Sequence, residues 1–303
     1  MPDGSLAVTI LTFGAIVAIG AVLRAVGILS AGDSKPLNAV IVYVALPAFV
    51  FQAVRGAELG PDVWRVVAIS WLVFAVLLGL AWLLTLVRAS DPRRRGAIIL
   101  VSALGNTGYI GYPVTAALLG TTAVPLAVFS DVFGTVFALV LVGFPIAARF
   151  GRSERGRVNV LRELVTFPAV IALVAGLVLR SVAIPDPVSS GLDMLASVVA
   201  PLIMLSVGVS LRPKALAKGA ADVAMVSLLR LAVAPAVALV LGAMFLTGDA
   251  LRVGALQAGM PAMMLSLAVG ERFGLDTEFI ASAIFITTVL SAVTIPLVQS
   301  VAF

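Results

Sequence analysis

Apolar residues run along this chain in long blocks, separated by short stretches that hold most of the charge, glycine and proline. The blocks fall at about 6–29, 36–55, 64–87, 95–119, 122–148, 159–182, 188–211, 220–246, 250–270 and 277–300. A helix that spans a bilayer needs roughly 20 apolar residues, so the pattern predicts an all-α integral membrane protein with ten transmembrane helices. Their ends are loosely marked where the connection is itself apolar, as at Gly120 to Thr122. The opening residues Met1 to Ser5 carry an acid and no Lys or Arg. The first block therefore lacks the basic flank of a signal peptide and is expected to be a span.

Composition narrows the chemistry. Of 303 residues, 61% are hydrophobic and 12% charged, with a mean hydropathy of +1.18, whereas soluble domains are about 25% charged. His and Cys are both missing, which excludes Ser-His-Asp and Cys-His catalysis, zinc fingers, His-ligated haem and disulfides. Neither a metal site nor a cofactor is expected. An enzyme is not expected either, since no span carries a plausible nucleophile and base together.

The basic residues set the orientation. Connections after odd-numbered spans hold 15 of the 20 Lys and Arg, namely Arg24, Lys35, Arg88, Arg93, Arg94, Arg95, Arg149, Arg152, Arg155, Arg157, Arg162, Arg212, Lys214, Lys218 and Arg272. Those after even-numbered spans hold Arg55, Arg65, Arg180 and Arg252. Cytoplasmic loops accumulate Lys and Arg, so the odd connections are expected in the cytoplasm and both termini outside. The pI of about 10.2 then belongs to topology and does not indicate nucleic-acid binding. Trp64 and Trp82 suit interfacial anchors near opposite ends of the third span, while Trp71 does not.

Val22-Leu23-Arg24-Ala25-Val26-Gly27-Ile28 recurs as Val178-Leu179-Arg180-Ser181-Val182-Ala183-Ile184. Prolines 47, 113 and 145 have counterparts at 201, 261 and 296. The halves, 1–150 and 151–303, therefore read as a repeat of five spans each. Five is odd, so the second copy enters from the opposite face and the repeat is inverted, an architecture of secondary transporters.

Span four contains Gly105-Asn106-Thr107-Gly108-Tyr109-Ile110-Gly111-Tyr112-Pro113, too rich in glycine and proline for a continuous helix. Span nine is interrupted more briefly, at Gln257-Ala258-Gly259-Met260-Pro261. Matching interruptions in two halves point to a transporter binding site. Pro113 and Pro261 suit the first turn of a new helix, so two positive helix ends are expected near the midplane, an anion site without a basic side chain. The expected substrate is a small organic anion, a carboxylate, with Asn106, Thr107 and Gln257 supplying neutral hydrogen bonds. The three tyrosines lie inside spans two and four; Tyr109 and Tyr112 are candidates for a cavity lining ahead of Tyr43, with ordinary helix packing as the alternative.

Asp131 is the one deep carboxylate, costly unless paired, protonated or wet. It reads either as a proton- or cation-coupling group or as a hydrogen-bonding partner for the unwound part of span four. Arg230, the only deep cation, is expected to snorkel to the cytoplasmic face in a structural role.

The stretches Leu37 to Pro47, Gly105 to Pro113, Met260-Pro261-Ala262 and Glu271 to Asp276 resemble the auxin efflux carrier family over essentially the whole chain. The resemblance implies a fold similar to the bile acid:sodium symporters: crossed broken helices four and nine, a scaffold of helices 1, 2, 6 and 7, a transport domain of helices 3–5 and 8–10, and elevator-type alternating access, often in a dimer. It carries the crossover Asn onto Asn106 and the crossover prolines onto Pro113 and Pro261; for the second polar residue, Gln257 stands where an Asn is usual. The short loop near Arg149 to Arg157 matches a prokaryotic form, for which malate or malonate is as apt as auxin. The resulting expectation is a secondary carrier of small organic anions in the cell membrane, driven by protons or the membrane potential, with export as the family's habit. Sodium-coupled symport is the alternative, and a non-transporting receptor for the same anion the rival from another class.

Overall fold

The computed structural model describes residues 4–57, 60–88, 91–152, 159–210 and 219–302. Arg155, Arg157, Arg212, Lys214 and Lys218, which weighed in the orientation argument, lie outside them. In chain order the helices are α1 (Gly4–Ala25), α2 (Ser34–Arg55), α3 (Pro61–Arg88), α4 (Pro92–Ala103), α5 (Gly111–Leu119), α6 (Thr121–Phe150), α7 (Val160–Val165), α8 (Pro168–Val178), α9 (Asp186–Ser210), α10 (Ala220–Gly242), α11 (Gly248–Ala258), α12 (Leu265–Phe273) and α13 (Thr277–Ala302). The protein is all-helical; the one β-type feature among the described residues is an isolated antiparallel bridge between Gly105 and Ala262.

Six helices, α2, α3, α6, α9, α10 and α13, are long and apolar enough to cross a bilayer, with shorter apolar stretches at Leu11–Ala25 and Pro168–Val178. Among the described residues fewer than ten helices are long enough to cross, for local reasons, of which the breaks in spans four and nine are those the sequence predicts. The runs expected as spans four and nine are each split into two short helices, and the run expected as span six is divided where Phe167 turns extended ahead of Pro168.

Proline shapes the long helices without ending them. The π-turns Ile41–Ala45, Leu139–Gly143 and Leu229–Val233 each finish just before a proline, Pro47, Pro145 or Pro235. A proline has no N–H and its ring crowds the preceding turn, so the backbone widens there. A fourth π-turn, Ser130–Val136, contains Asp131 and has no such proline. The Phe133 carbonyl in it accepts from the Trp71 indole N–H at 2.9 Å, which explains a tryptophan that fits no interfacial position.

Two groups of helices pack chiefly among themselves. In one, α1 lies along α9, and α2 against α8 and α9. Close approach is possible because Gly20 and Gly208 face each other: a Cβ on Gly208 would stand 3.0 Å from the Gly20 Cα and 2.9 Å from the Ala21 nitrogen. Arg24 donates to the Val209 carbonyl at 2.9 Å, and Arg180 to the Ala57 carbonyl at 2.9 Å. In the other group α3, α6, α10 and α13 surround the split pairs, α4 with α5 and α11 with α12. Arg94 ties three of these together, bonding Asp222 at 3.2 Å and Asp276 at 3.1 Å with its guanidinium over the Phe279 ring.

Candidate functional site

The two split segments meet each other. Leu104 leaves α4 with extended backbone. The Asn106 N–H donates to the Pro261 carbonyl at 2.7 Å, and the Met263 N–H donates to the Leu104 carbonyl at 3.1 Å. The Ala262 N–H is taken by Thr287 Oγ1 of α13 at 3.1 Å. Unwound backbone this deep is tolerable because its polar groups are bonded within the protein.

This pairing corrects the reading of the prolines. Pro113 sits in the first turn of α5, as expected, but Pro261 lies in the extended stretch and α12 starts only at Leu265. Pro261 is suited to its place because the pairing uses its carbonyl and requires no N–H from it. Since Gly105 faces Ala262, the two prolines do not occupy equivalent positions about the crossing.

Arg230 is also not where its chemistry suggested. It is 3% exposed and does not reach a membrane face. Its guanidinium donates to the carbonyls of Met260 and Ala258, each at 2.9 Å, and its Nη1 lies 3.5 Å from the Ala103 carbonyl. Ala103 and Ala258 are the last residues of α4 and α11, so the cation sits at two negative helix ends. A lone Arg in an apolar run looks like a snorkelling residue; only the fold reveals the carbonyls it meets.

On the other side of the crossing, Asp131 accepts hydrogen bonds from Tyr112 (2.7 Å) and Thr107 (2.5 Å), and is buried. The Tyr112 ring stacks on Phe49 with centroids 5.4 Å apart. This carboxylate lies beside the start of α5, complementing that positive end. Through Thr107 and Tyr112 the Asp131 carboxylate hydrogen-bonds the split segment, and it reduces the pull of the α5 terminus on a second anion.

None of Gly105, Gly108 and Gly111 has positive φ; what they provide is close approach. A side chain on Gly105 would strike the Arg230 guanidinium, one on Gly108 would stand 2.9 Å from Asp131 Oδ2, and one on Gly111 would strike Gln257. Gln257 itself lies 3.4 Å from Thr115 Oγ1.

Not all the candidate residues share one cavity. Asn106, Tyr109, Tyr112 and Asp131 line a small one of about 30 Å³ with Met263 and Leu265. Thr107 and Gln257 line another with Arg230 on the far side of the crossing. Tyr109 and Leu265 also line a larger cavity of about 360 Å³, which reaches Tyr43 and Asn38 and ends at the Lys35–Glu271 ion pair (3.2 Å). The buried polar atoms without partners near the crossing include Asn106 Nδ2, the Tyr109 hydroxyl and Gln257 Oε1.

The family model for membrane transport proteins matches residues 6–299. The chain belongs to that family, the auxin efflux carriers. This transporter is 33% identical over 293 residues to an uncharacterized transporter of Methanocaldococcus jannaschii, covering 93% of this chain and 94% of the relative. It is 29% identical to an uncharacterized transporter of Methanothermobacter thermautotrophicus (95% and 96% covered). A Rhizobium meliloti protein named "Putative malonate transporter" is 26% identical over 275 residues (86% and 84%). The family and the apolar helices together make this transporter a multi-pass membrane protein.

Proposed function

We propose that this transporter is a secondary carrier for small organic anions, with a dicarboxylate of the malonate class as the first candidate. The observation that carries the reading is the crossing: two split segments bonded backbone to backbone, with the unpaired donors Asn106 Nδ2 and Tyr109 hydroxyl close by and a cavity leading away from Tyr109. Both donors suit a carboxylate oxygen, and the α12 terminus at Leu265 lies on the same cavity. The name of the Rhizobium meliloti relative supports a carboxylate substrate.

The finer architecture is part of the proposal: ten spans in two inverted five-span repeats, 1–150 and 151–303. The exchanged arginine bonds support it, because Arg24 reaches the end of α9 and its repeat counterpart Arg180 reaches Ala57, two residues past the end of α2. The packing of α1, α2, α8 and α9 supports a scaffold against which the remaining helices move as a transport domain in an elevator cycle. By loop charge the Lys35–Glu271 mouth is cytoplasmic, so the described state opens inward. Proton coupling is proposed for Asp131 in addition to its hydrogen bonds with Thr107 and Tyr112, because it is a buried carboxylate beside the crossing.

The test is a thermal-shift screen of small carboxylates on purified protein, since a ligand that binds the folded state raises its apparent stability. Malonate or a near analogue is expected to raise the midpoint of the wild type and leave folded Asn106→Ala unmoved. An equal shift in Asn106→Ala would place the anion elsewhere.

A further inference from the structure

Carriers built on interrupted helices commonly bind a coupling cation with unwound carbonyls and the negative ends of half-helices. Here those positions are occupied by the protein itself. The Arg230 guanidinium bonds the carbonyl of Ala258, which closes α11, and approaches that of Ala103, which closes α4; the Met260 carbonyl accepts from both Nε (3.3 Å) and Nη2 (2.9 Å). Each helix end carries about half a negative charge, so one guanidinium matches the pair. Among the described residues Arg230 forms no ion pair with a carboxylate; Asp131 is held by Tyr112 and Thr107 instead. The Gly105 backbone lies so close to the guanidinium that no side chain fits between them, and a π-turn sets the position from which Arg230 reaches in.

We propose that Arg230 is a tethered cation standing in the place of a coupling sodium ion, so that this carrier works without sodium and removal of the guanidinium opens a site for a small free cation. The proposal rests on the carrier reading above. It makes Arg230 a positioning residue: it holds the ends of α4 and α11 together at the crossing, keeps the two extended stretches paired, and touches no substrate. A fixed charge cannot leave with the cargo, so the energy for accumulation comes from another gradient. It also removes the carbonyl site on which sodium-coupled symport would depend.

The experiment uses the full-length wild type with Arg230→Ala and Arg230→Lys, purified without carboxylate, and reads thermal unfolding in sodium chloride against choline chloride at equal ionic strength. Millimolar guanidinium chloride is then added. The wild type is expected to give the same midpoint in both salts and to ignore guanidinium. Arg230→Ala is expected to unfold at a lower temperature and to recover more than half of the loss when guanidinium is supplied, a rescue that a purely space-filling role for the side chain would not give. Arg230→Lys keeps the charge and is expected to stay blind to sodium. A wild-type or Arg230→Lys midpoint that rises in sodium relative to choline overturns the proposal, as does a folded Arg230→Ala that responds to neither cation. If Arg230→Ala does not fold, the sodium response of the other two proteins decides. No organic anion is present, so failure here is separate from failure of the carboxylate screen.

Discussion

The hydrogen bond from Tyr112 to Asp131 allows a quantitative test of how the crossing is held. Both residues are buried, the hydroxyl lies 2.7 Å from Oδ2, and the ring is separately anchored on Phe49. Tyr112→Phe therefore removes the donor and keeps the stack. A hydrogen bond to a charged group contributes about 1.5–3 kcal/mol, so about 2 kcal/mol is expected. Asp131→Asn keeps the shape but presents an amide N–H₂ to one of two hydroxyl donors, at a similar cost. The charge that strengthens the Tyr112–Asp131 bond is lost in Asp131→Asn and the donor itself in Tyr112→Phe, and that charge-assisted bond can be lost only once, so the double variant is expected to be about 1–2 kcal/mol more stable than the sum of the singles predicts. The assay is unfolding of the four purified proteins in one detergent at one scan rate. At roughly 2 °C per kcal/mol for a chain of this length, each single variant should lose about 4 °C. Strict additivity, or a Tyr112→Phe midpoint equal to the wild type, would refute the reasoning.

Asn106→Ala is expected to lose the carboxylate-induced thermal shift while keeping its fold, as measured in the screen described above. Asp131→Asn is expected to uncouple flux from a proton gradient in proteoliposomes; undiminished pH-driven flux would leave Asp131 as an anchor for Thr107 and Tyr112 only. Gly208→Val forces a side chain against the backbone of α1 at Gly20 and Ala21, an overpacking that costs about 1–3 kcal/mol. A lowered unfolding midpoint checks it, and a wild-type midpoint would show that α1 and α9 can part without penalty.

The apolar blocks foretold an all-helical membrane protein and its long spans, because lipid forces long uninterrupted apolarity and the charge that ends it is easy to see. The break in span four was legible from its glycines and proline, but their purpose was not. Gly105, Gly108 and Gly111 admit Arg230, Asp131 and Gln257, and which distant side chain approaches a glycine is set by packing that no local pattern records. Pro261 was misplaced by one helix start for a related reason: extended pairing with Asn106 overrides the preference of proline for a first turn. Arg230 was misread because burial of a charge is paid for by carbonyls from two other segments, α4 and α11. Trp71 likewise made sense only beside the widened turn at Phe133.

The most direct measurement of the central claim uses the absence of cysteine from this chain. Leu265 opens α12 and lines both the cavity at the crossing and the larger one that leads from it. In the Leu265→Cys variant, a membrane-impermeant maleimide applied to inside-out vesicles should label the single thiol. The carboxylate that gives the largest thermal shift should slow that labelling in proportion to its occupancy. Labelling at the same rate under saturating carboxylate would contradict an anion site at the crossing.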